Sequence, residues 1–386
     1  MSIMKQYDVV IIGAGAAGLA AAAVAVERGR RVAMFEMGNV PARKVMASGG
    51  GQCNITNSAV AYNRYFGENP NFVRGAIARV KPDDILNWAR AHKIKLVEKD
   101  AGRYFCANGA QDVVNALLRD AHGTDIFVKT TVTDINPHSG NFTVSTAHGD
   151  YLAQSVIIAT GGVSFATLGV SDFGHKIAKK FGHKIIPVRP ALCAIATNTF
   201  SPELAGISVN AQITVGKEKI KDSMLFTHFG IGGPAIYRAT VRDQDNLIIN
   251  IAPDVDVFEC LRNAKTSDGR KTVAGILSGI LPVRVAKWIC PDTRHIADFR
   301  NDELSQIARR INNIFISRKD IKLHNLASAE VVRGGVDTSQ ISSKTMESKL
   351  CPGLFFVGEV LDVAGDLGGF NLHWAWASGR VAGQNA

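Results

Sequence analysis

Tyr7-Asp8-Val9-Val10-Ile11-Ile12-Gly13-Ala14-Gly15-Ala16-Ala17-Gly18-Leu19, with its continuation to Glu36, decides how this chain reads. Val9 to Ile12 is an unbroken β-branched run, the signature of a strand buried on both faces. Gly13, Gly15 and Gly18 follow in G-x-G-x-x-G spacing, Ala20 to Arg28 is a strong helix former, and Val32-Ala33-Met34-Phe35 is a second apolar strand closed by Glu36. Strand, glycine turn, helix, strand and acid in this register form a dinucleotide-binding unit. Gly13 permits the tight turn and Gly15 lets backbone approach a pyrophosphate. Gly18 lets the helix sit hard against the strand. The N-terminus of the helix offers unpaired N–H groups and a positive dipole end to the phosphates. Glu36 is placed to accept the ribose hydroxyls.

Val9 to Val26 carries no charged or polar side chain over 18 residues, near the lower limit for a membrane span. A signal peptide wants a basic leader, whereas this one sets Asp8 beside Lys5. Neither reading explains the change from β-branched residues to glycines to alanines. No other segment resembles a transmembrane helix, so no membrane association and a cytoplasmic location are expected.

Ligand-binding character continues in Pro41-Ala42-Arg43-Lys44 and in Ser48-Gly49-Gly50-Gly51-Gln52-Cys53-Asn54-Ile55-Thr56-Asn57. Three successive glycines do not belong inside a regular element. Arg43 and Lys44 can neutralise phosphates, while Ser48, Asn54 and Asn57 can bond a ribityl chain or ring. Val156 to Gly162 reads as a buried strand ending at Thr160-Gly161-Gly162. The far end repeats the pattern, with a strand ending at Gly358-Glu359, then Asp362, Gly365, Gly368 and Gly369, and a helix opening at Phe370-Asn371. A second helix N-terminus after glycines directs partial positive charge at a ligand. Trp374 and Trp376 read as core.

Between these ends, Pro82–His92, Ala110–Ala121 and Phe173–Gly182 are expected as helices. Ile126–Val128, Thr131–Ile135 and Phe142–Thr146 are expected as strands, the last pairing with Tyr151–Val156. Pro187 and Pro190 mark a domain boundary. Short strands follow to about Leu247, with the glycine-rich turn Phe226–Pro234 among them. Val255 to Ser317 reads as helical, most clearly at Val285–Ile289 and Leu304–Ile316.

The chain has 386 residues, 46% hydrophobic and 20% charged, with 37 glycines. This describes two or three domains with real cores. The formal charge of +10 admits nucleic acid, but no long basic run interleaves with aromatics, so nucleic acid is placed second to a small-molecule substrate. The six cysteines form no C-x-x-C, which speaks against a zinc ribbon or redox dithiol, and no metal site is expected. Cys53 stands out by its neighbours.

Glycine-rich elements at both chain ends suit FAD better than NAD, because a fused ring must be held as well as the phosphates. A second complete fingerprint is absent, so NAD(P)H is expected only as a transient electron donor. These blocks, together with Leu225–Pro234, Gly334-Gly335-Val336 and Thr345-Met346-Glu347-Ser348, resemble the YhiN/BaiN-like family of FAD-dependent oxidoreductases. Gly358–Leu372 is the most diagnostic stretch. The resemblance implies an α/β fold: a Rossmann-like FAD-binding domain of glutathione-reductase type (1–190 and 333–386), interrupted by a β-barrel-like insert (191–250 and 318–332) and a small helical insert (251–317). It implies FAD contacts from Gly13, Gly15, Ala16, Ala17, Gly18, Glu36, Arg43, Lys44, Ser48, Gly49, Gly50, Cys53, Asn54, Val132, Thr160, Gly161, Gly358, Glu359, Asp362, Gly369, Phe370, Asn371 and Leu372. The sequence departs from the family at Gln52, usually Arg, at Cys106 and Ala166, usually Pro, and at His373, often Gln.

The expected activity is reduction of an organic substrate, an activated double bond for example, with NAD(P)H electrons passed through flavin N5. The alternative is a flavin-dependent RNA-modifying or RNA-binding protein. Proton-donor candidates by chemistry are His228, His373, Tyr104 and Cys53, with His228 first because of its glycine-rich turn.

Overall fold

The computed structural model describes residues 4–165, 169–242 and 245–386. Ala166 therefore lies outside the described residues. The chain divides into two compact units, one running to Arg189 and resuming with Glu330–Ala386, the other Pro190–Ala329.

The first unit is built on β1 (Lys5–Ile12), α1 (Ala16–Glu27) and β2 (Val32–Phe35). β1 is the centre of a parallel sheet, with Ile12 registered against Phe35 of β2 on one side and Ile158 of strand Gly149–Ile158 on the other. Asp125–Phe127 extends the sheet beyond β2, and Leu354–Phe356 pairs with the upper half of Gly149–Ile158. The lower half of that strand pairs antiparallel with Asn141–Thr146, which pairs with Val132–His138. The expected strands are therefore present, as a meander attached to a parallel sheet.

The uncharged run Val9–Val26 is split between β1 and α1. Its helical part is apolar all round because it is buried between the sheet and the C-terminal helix Phe370–Asn385. A Cβ added at Gly379 would lie 2.2 Å from Ala17 O, and one at Gly383 would lie 2.4 Å from Ala21 O. The two helices thus cross at backbone distance through small residues four apart. Among the described residues no helix is long and apolar enough to cross a membrane.

The second unit carries a seven-stranded antiparallel sheet. Its order is Ile314–Ile316, Leu247–Asn250, Ser208–Val215, Glu218–Thr227, Gly230–Gly232, Ile195–Ala196, Lys322–Leu323. Helices Val257–Ser267, Val273–Leu277, Val283–Ile289 and Asn301–Asn312 share one hydrophobic core with this sheet. Asp256 and Thr272 cap two of them by accepting the N–H groups of Glu259 and Gly275. The helix expected over Leu304–Ile316 ends at Asn312. Beyond it Ile314 and Ile316 turn inward and Phe315 outward, a period of two, and the segment pairs with Leu247–Ile249. A short β-branched run after paired asparagines has overridden the helical periodicity.

Candidate functional site

The glycine turn after β1 is fixed by its packing. Gly13 takes φ +103°, and a Cβ there would fall 2.5 Å from Ala159 O. At Gly18 a Cβ would fall 2.1 Å from Gly13 O, so helix and turn touch backbone to backbone. At Gly15 nothing lies within 4 Å. The position that would hold a side chain is open space beside the N-terminus of α1, which has no side-chain cap and no acid in its first turn. Ala16 and Ala17 lie in that turn, whose N–H groups lack intrahelical acceptors. Open space beside unpaired N–H groups at a helix N-terminus suits an anionic group such as a pyrophosphate.

Glu36 ends β2 and organises its surroundings. Its carboxylate accepts Ala14 N–H at 3.0 Å and Gly38 N–H at 2.7 Å, with Arg43 3.5 Å away. A carboxylate offers about four acceptor positions, so capacity remains for hydroxyl donors. Thr130 N–H donates to Glu36 O at 2.9 Å, which brings buried Val132 alongside. Ala42 N–H donates to Ala14 O at 2.9 Å and so returns the Arg43-Lys44 segment to the glycine turn.

Lys44 links three distant segments. Its Nζ donates to Glu359 Oε2 at 2.6 Å and to Ser164 Oγ at 2.8 Å. Glu359 Oε1 accepts Val332 N–H at 3.0 Å. Glu330, whose carbonyl faces Ser164 Oγ at 3.4 Å, is pushed above the usual carboxylate range by burial, with Lys44 opposing. Ser164 and Glu330 escaped the sequence reading because neither carries a motif. Only the chain's return at residue 330 places them here.

The Ser48–Asn57 segment forms a left-handed turn through Gly49 and Gly50, then the strand Asn54–Asn57. Gly50, Gly51 and Gly161 each face open space. Thr160 Oγ1 is buried with no hydrogen-bond partner among the described residues. The strand meets the second glycine cluster directly, since a Cβ at Gly369 would lie 2.5 Å from Thr56 O. Asn57 Nδ2 donates to Gly368 O at 2.9 Å, and the Asn54 amide faces Gly369 N–H at 3.2 Å. Asn371 holds Gly365 from both sides, donating to its carbonyl at 3.0 Å and accepting its N–H at 2.7 Å. Both Asp362 oxygens are engaged by the N–H groups of Glu68 and Gly334. Burial raises the pKa of this carboxyl. Phe370 is buried under Arg64 and against Tyr65, while Leu372 is half-buried.

Two indoles tie these loops to the C-terminal helix. Trp374 Nε1–H donates to Gly358 O at 3.1 Å, and Trp376 Nε1–H donates to Ile55 O at 2.9 Å. Both rings are core, as the sequence suggested, but each also anchors one segment of the candidate site.

The proton-donor candidates separate. His373 is fully buried; its Nε2–H donates to Val80 O at 2.8 Å and its Nδ1 accepts Thr56 Oγ1–H at 2.8 Å. Burial holds it near pKa 4, so it is neutral and structural. Cys53 is fully buried, and its contact with the Cys106 thiol, with burial, pushes its pKa well up, which makes a poor acid or nucleophile. Burial and Glu98 raise Tyr104. His228 belongs to the second unit, exposed on the turn between Glu218–Thr227 and Gly230–Gly232. At the departures from the family, Gln52 Oε1 accepts Lys99 Nζ at 2.6 Å, so a cation stands where arginine is usual. Cys106 N–H donates to Gln52 O at 2.8 Å, a bond proline cannot make.

A Rossmann-type unit whose glycine clusters converge from both chain ends, with an acid at the end of β2, defines an FAD-dependent oxidoreductase with FAD as its cofactor. The family model described as HI0933-like protein Rossmann domain matches residues 7–385, and the chain belongs to this family, in keeping with the likeness read from its glycine-rich blocks. It is 37% identical over 395 residues to the ribosomal RNA dihydrouridine synthase of Haemophilus influenzae, covering 97% of each chain. It is 34% identical over 397 residues to the protein of the same name in Escherichia coli, covering 99% of this chain and 98% of that one. Identity to the 3-dehydro-bile acid delta(4,6)-reductase of Clostridium scindens is 26% over 404 residues, covering 97% and 98%.

Proposed function

We propose that this protein is an FAD-dependent reductase of uridine in ribosomal RNA. The observation that carries this reading is the pair of relatives named for that reaction, at 34% and 37% identity over nearly the whole chain. It reverses the order set from charge patterning, in which a small organic substrate came first. The two readings share their chemistry, because the uracil C5–C6 double bond is conjugated to a carbonyl and is itself an activated alkene.

In this reading the N–H groups at Gly15, Ala16 and Ala17 hold the pyrophosphate and Glu36 takes the ribose hydroxyls. The Ser48–Asn54 turn, Thr160-Gly161 and the Gly358–Leu372 segment enclose the remainder of the cofactor. Lys44 and Glu359 pin the loops that close on it. Bound FAD supplies hydride transfer from its reduced ring, with NAD(P)H as the source of electrons. Hydride at C6 leaves C5 needing a proton, which a general acid must deliver; the sequence offers His228 as the candidate to test.

Purified FAD-loaded protein, NADH or NADPH and unmodified ribosomal RNA should yield a nucleoside two hydrogens heavier than uridine by mass spectrometry. The reading fails if the RNA is unchanged while a bile-acid-like enone is reduced, the outcome that the 26% relative would favour. His228→Gln should slow product formation roughly 100-fold, within the range for a lost general acid, without altering flavin bleaching by NAD(P)H. An unchanged product rate removes His228 from the reaction.

A further inference from the structure

We infer that the outer face of the sheet in the second unit is a docking platform for a single-stranded segment of the RNA substrate, with Phe315 stacking on a base. This rests on the RNA reading above. Pairing registers set Phe315, Ile248, Thr214 and Lys219 in one row across four strands. The next row on that face is Asn250, Gln212 and Lys221, and the one beyond is Asn210 and Ser223. The opposite face is core, with Ile316, Leu247, Val215, Ile249, Ile213 and Ile220 all buried. Phe315 is nevertheless 57% exposed and Ile248 37%. An aromatic and an aliphatic residue thus stand side by side on an open sheet face, away from the core.

The surroundings point to a ligand. Lys217 and Lys219 are exposed on the strand side, and Arg318 and Lys319 follow the edge strand Ile314–Ile316. None of these four has a carboxylate partner among the described residues. The Arg318 turn is fixed to the sheet, since its N–H donates to Asn246 Oδ1 at 2.9 Å. Of the nearby acids, Glu218 is committed to Arg242 at 2.6 Å and Asp254 to Lys221, leaving Asp245 and Asp320. Cations around an exposed ring on a β-sheet are how single-stranded RNA is held, the ring taking a base face and the cations the phosphates. Two rows on, a pocket of about 350 Å³ opens beside Asn210 and Ser223, whose amide and hydroxyl can bond the edge of a splayed base.

The test is fluorescence anisotropy of full-length FAD-loaded protein with a labelled single-stranded oligoribonucleotide of about 12 nucleotides, within the site sizes of such surfaces. Phe315→Ala should weaken binding roughly five- to 150-fold, the measured range for loss of one base–aromatic stack, and Phe315→Tyr should restore it. Lys219→Gln with Arg318→Gln should flatten the log–log salt dependence by roughly 0.7 per charge removed. Flavin absorbance and melting temperature confirm folding. If the wild type binds RNA and reduces its uridines while Phe315→Ala binds equally well, the platform is wrong and the RNA reading stands. A wild type that neither binds nor modifies RNA overturns both. A dimer abolished by Phe315→Ala, with RNA affinity unchanged, would make this face a self-interface instead.

Discussion

His373 has both ring nitrogens engaged, one donating to Val80 O and one accepting from Thr56, and this sets a pH dependence. Its pKa falls from 6.5 to about 4 on burial. Between those values the unfolded chain binds a proton that the folded protein refuses. Stability from this residue is therefore complete above about pH 6.5 and is lost as pH falls toward 4, by roughly 3 kcal/mol in all. Glutamine can donate to Val80 and accept from Thr56 without titrating. His373→Gln should melt near the wild-type temperature at neutral pH and be the more stable protein near pH 5. Equal acid sensitivity in the two proteins would exonerate the histidine. The Lys44–Glu359 pair ties the Arg43-Lys44 segment to Ser164 and Val332. Glu359→Ala removes acceptors for Lys44 and Val332 N–H. Hydrogen bonds to charged groups contribute about 1.5–3 kcal/mol each, so FAD retention should fall roughly tenfold or more, read as flavin lost on gel filtration.

At the scale of elements, the crossing of α1 with the C-terminal helix is a tight constraint on the fold. Gly379→Ala puts a methyl 2.2 Å from Ala17 O, where two backbones, not flexible side chains, must yield. Overpacking of this kind costs about 1–3 kcal/mol. A lower melting temperature should appear together with weaker flavin binding, because α1 carries the phosphate cradle at its other end. A Gly379→Ala protein with unchanged melting would mean that the helices separate at no cost. How much of this was legible in sequence differs by element. β1, α1 and β2 were readable because glycine spacing, β-branching and alanine all point one way. That both faces of α1 are buried was not, since its partner lies at the other end of the chain. The strand Ile314–Ile316 was missed because three residues are too few to establish a period of two beside a strongly periodic helix. The network around Lys44 was half visible: Lys44 and Glu359 stand in motifs, whereas Ser164 and Glu330 are ordinary residues placed by topology.

For the whole molecule, the proposed function gives the net charge of +10 a specific use. Reduction of ribosomal RNA should decline steeply with added salt, because phosphate contacts release counterions, whereas flavin bleaching by NAD(P)H on the same protein should change far less. Equal salt dependence of both steps would separate the charge from the substrate. The unit that binds the flavin is also divided in sequence. Arg28, at the end of α1, donates to Gly383 O at 2.8 Å across 355 residues. A ribosome making this chain therefore releases β1 and α1 long before their covering helix exists. The apolar back of α1 must be shielded by other means, a chaperone or transient collapse, until residues 370–385 have been made. The candidate cofactor site is incomplete until the Gly358–Leu372 segment has been made. Flavin capture should therefore wait until residues 358–372 have joined the glycine turn after β1.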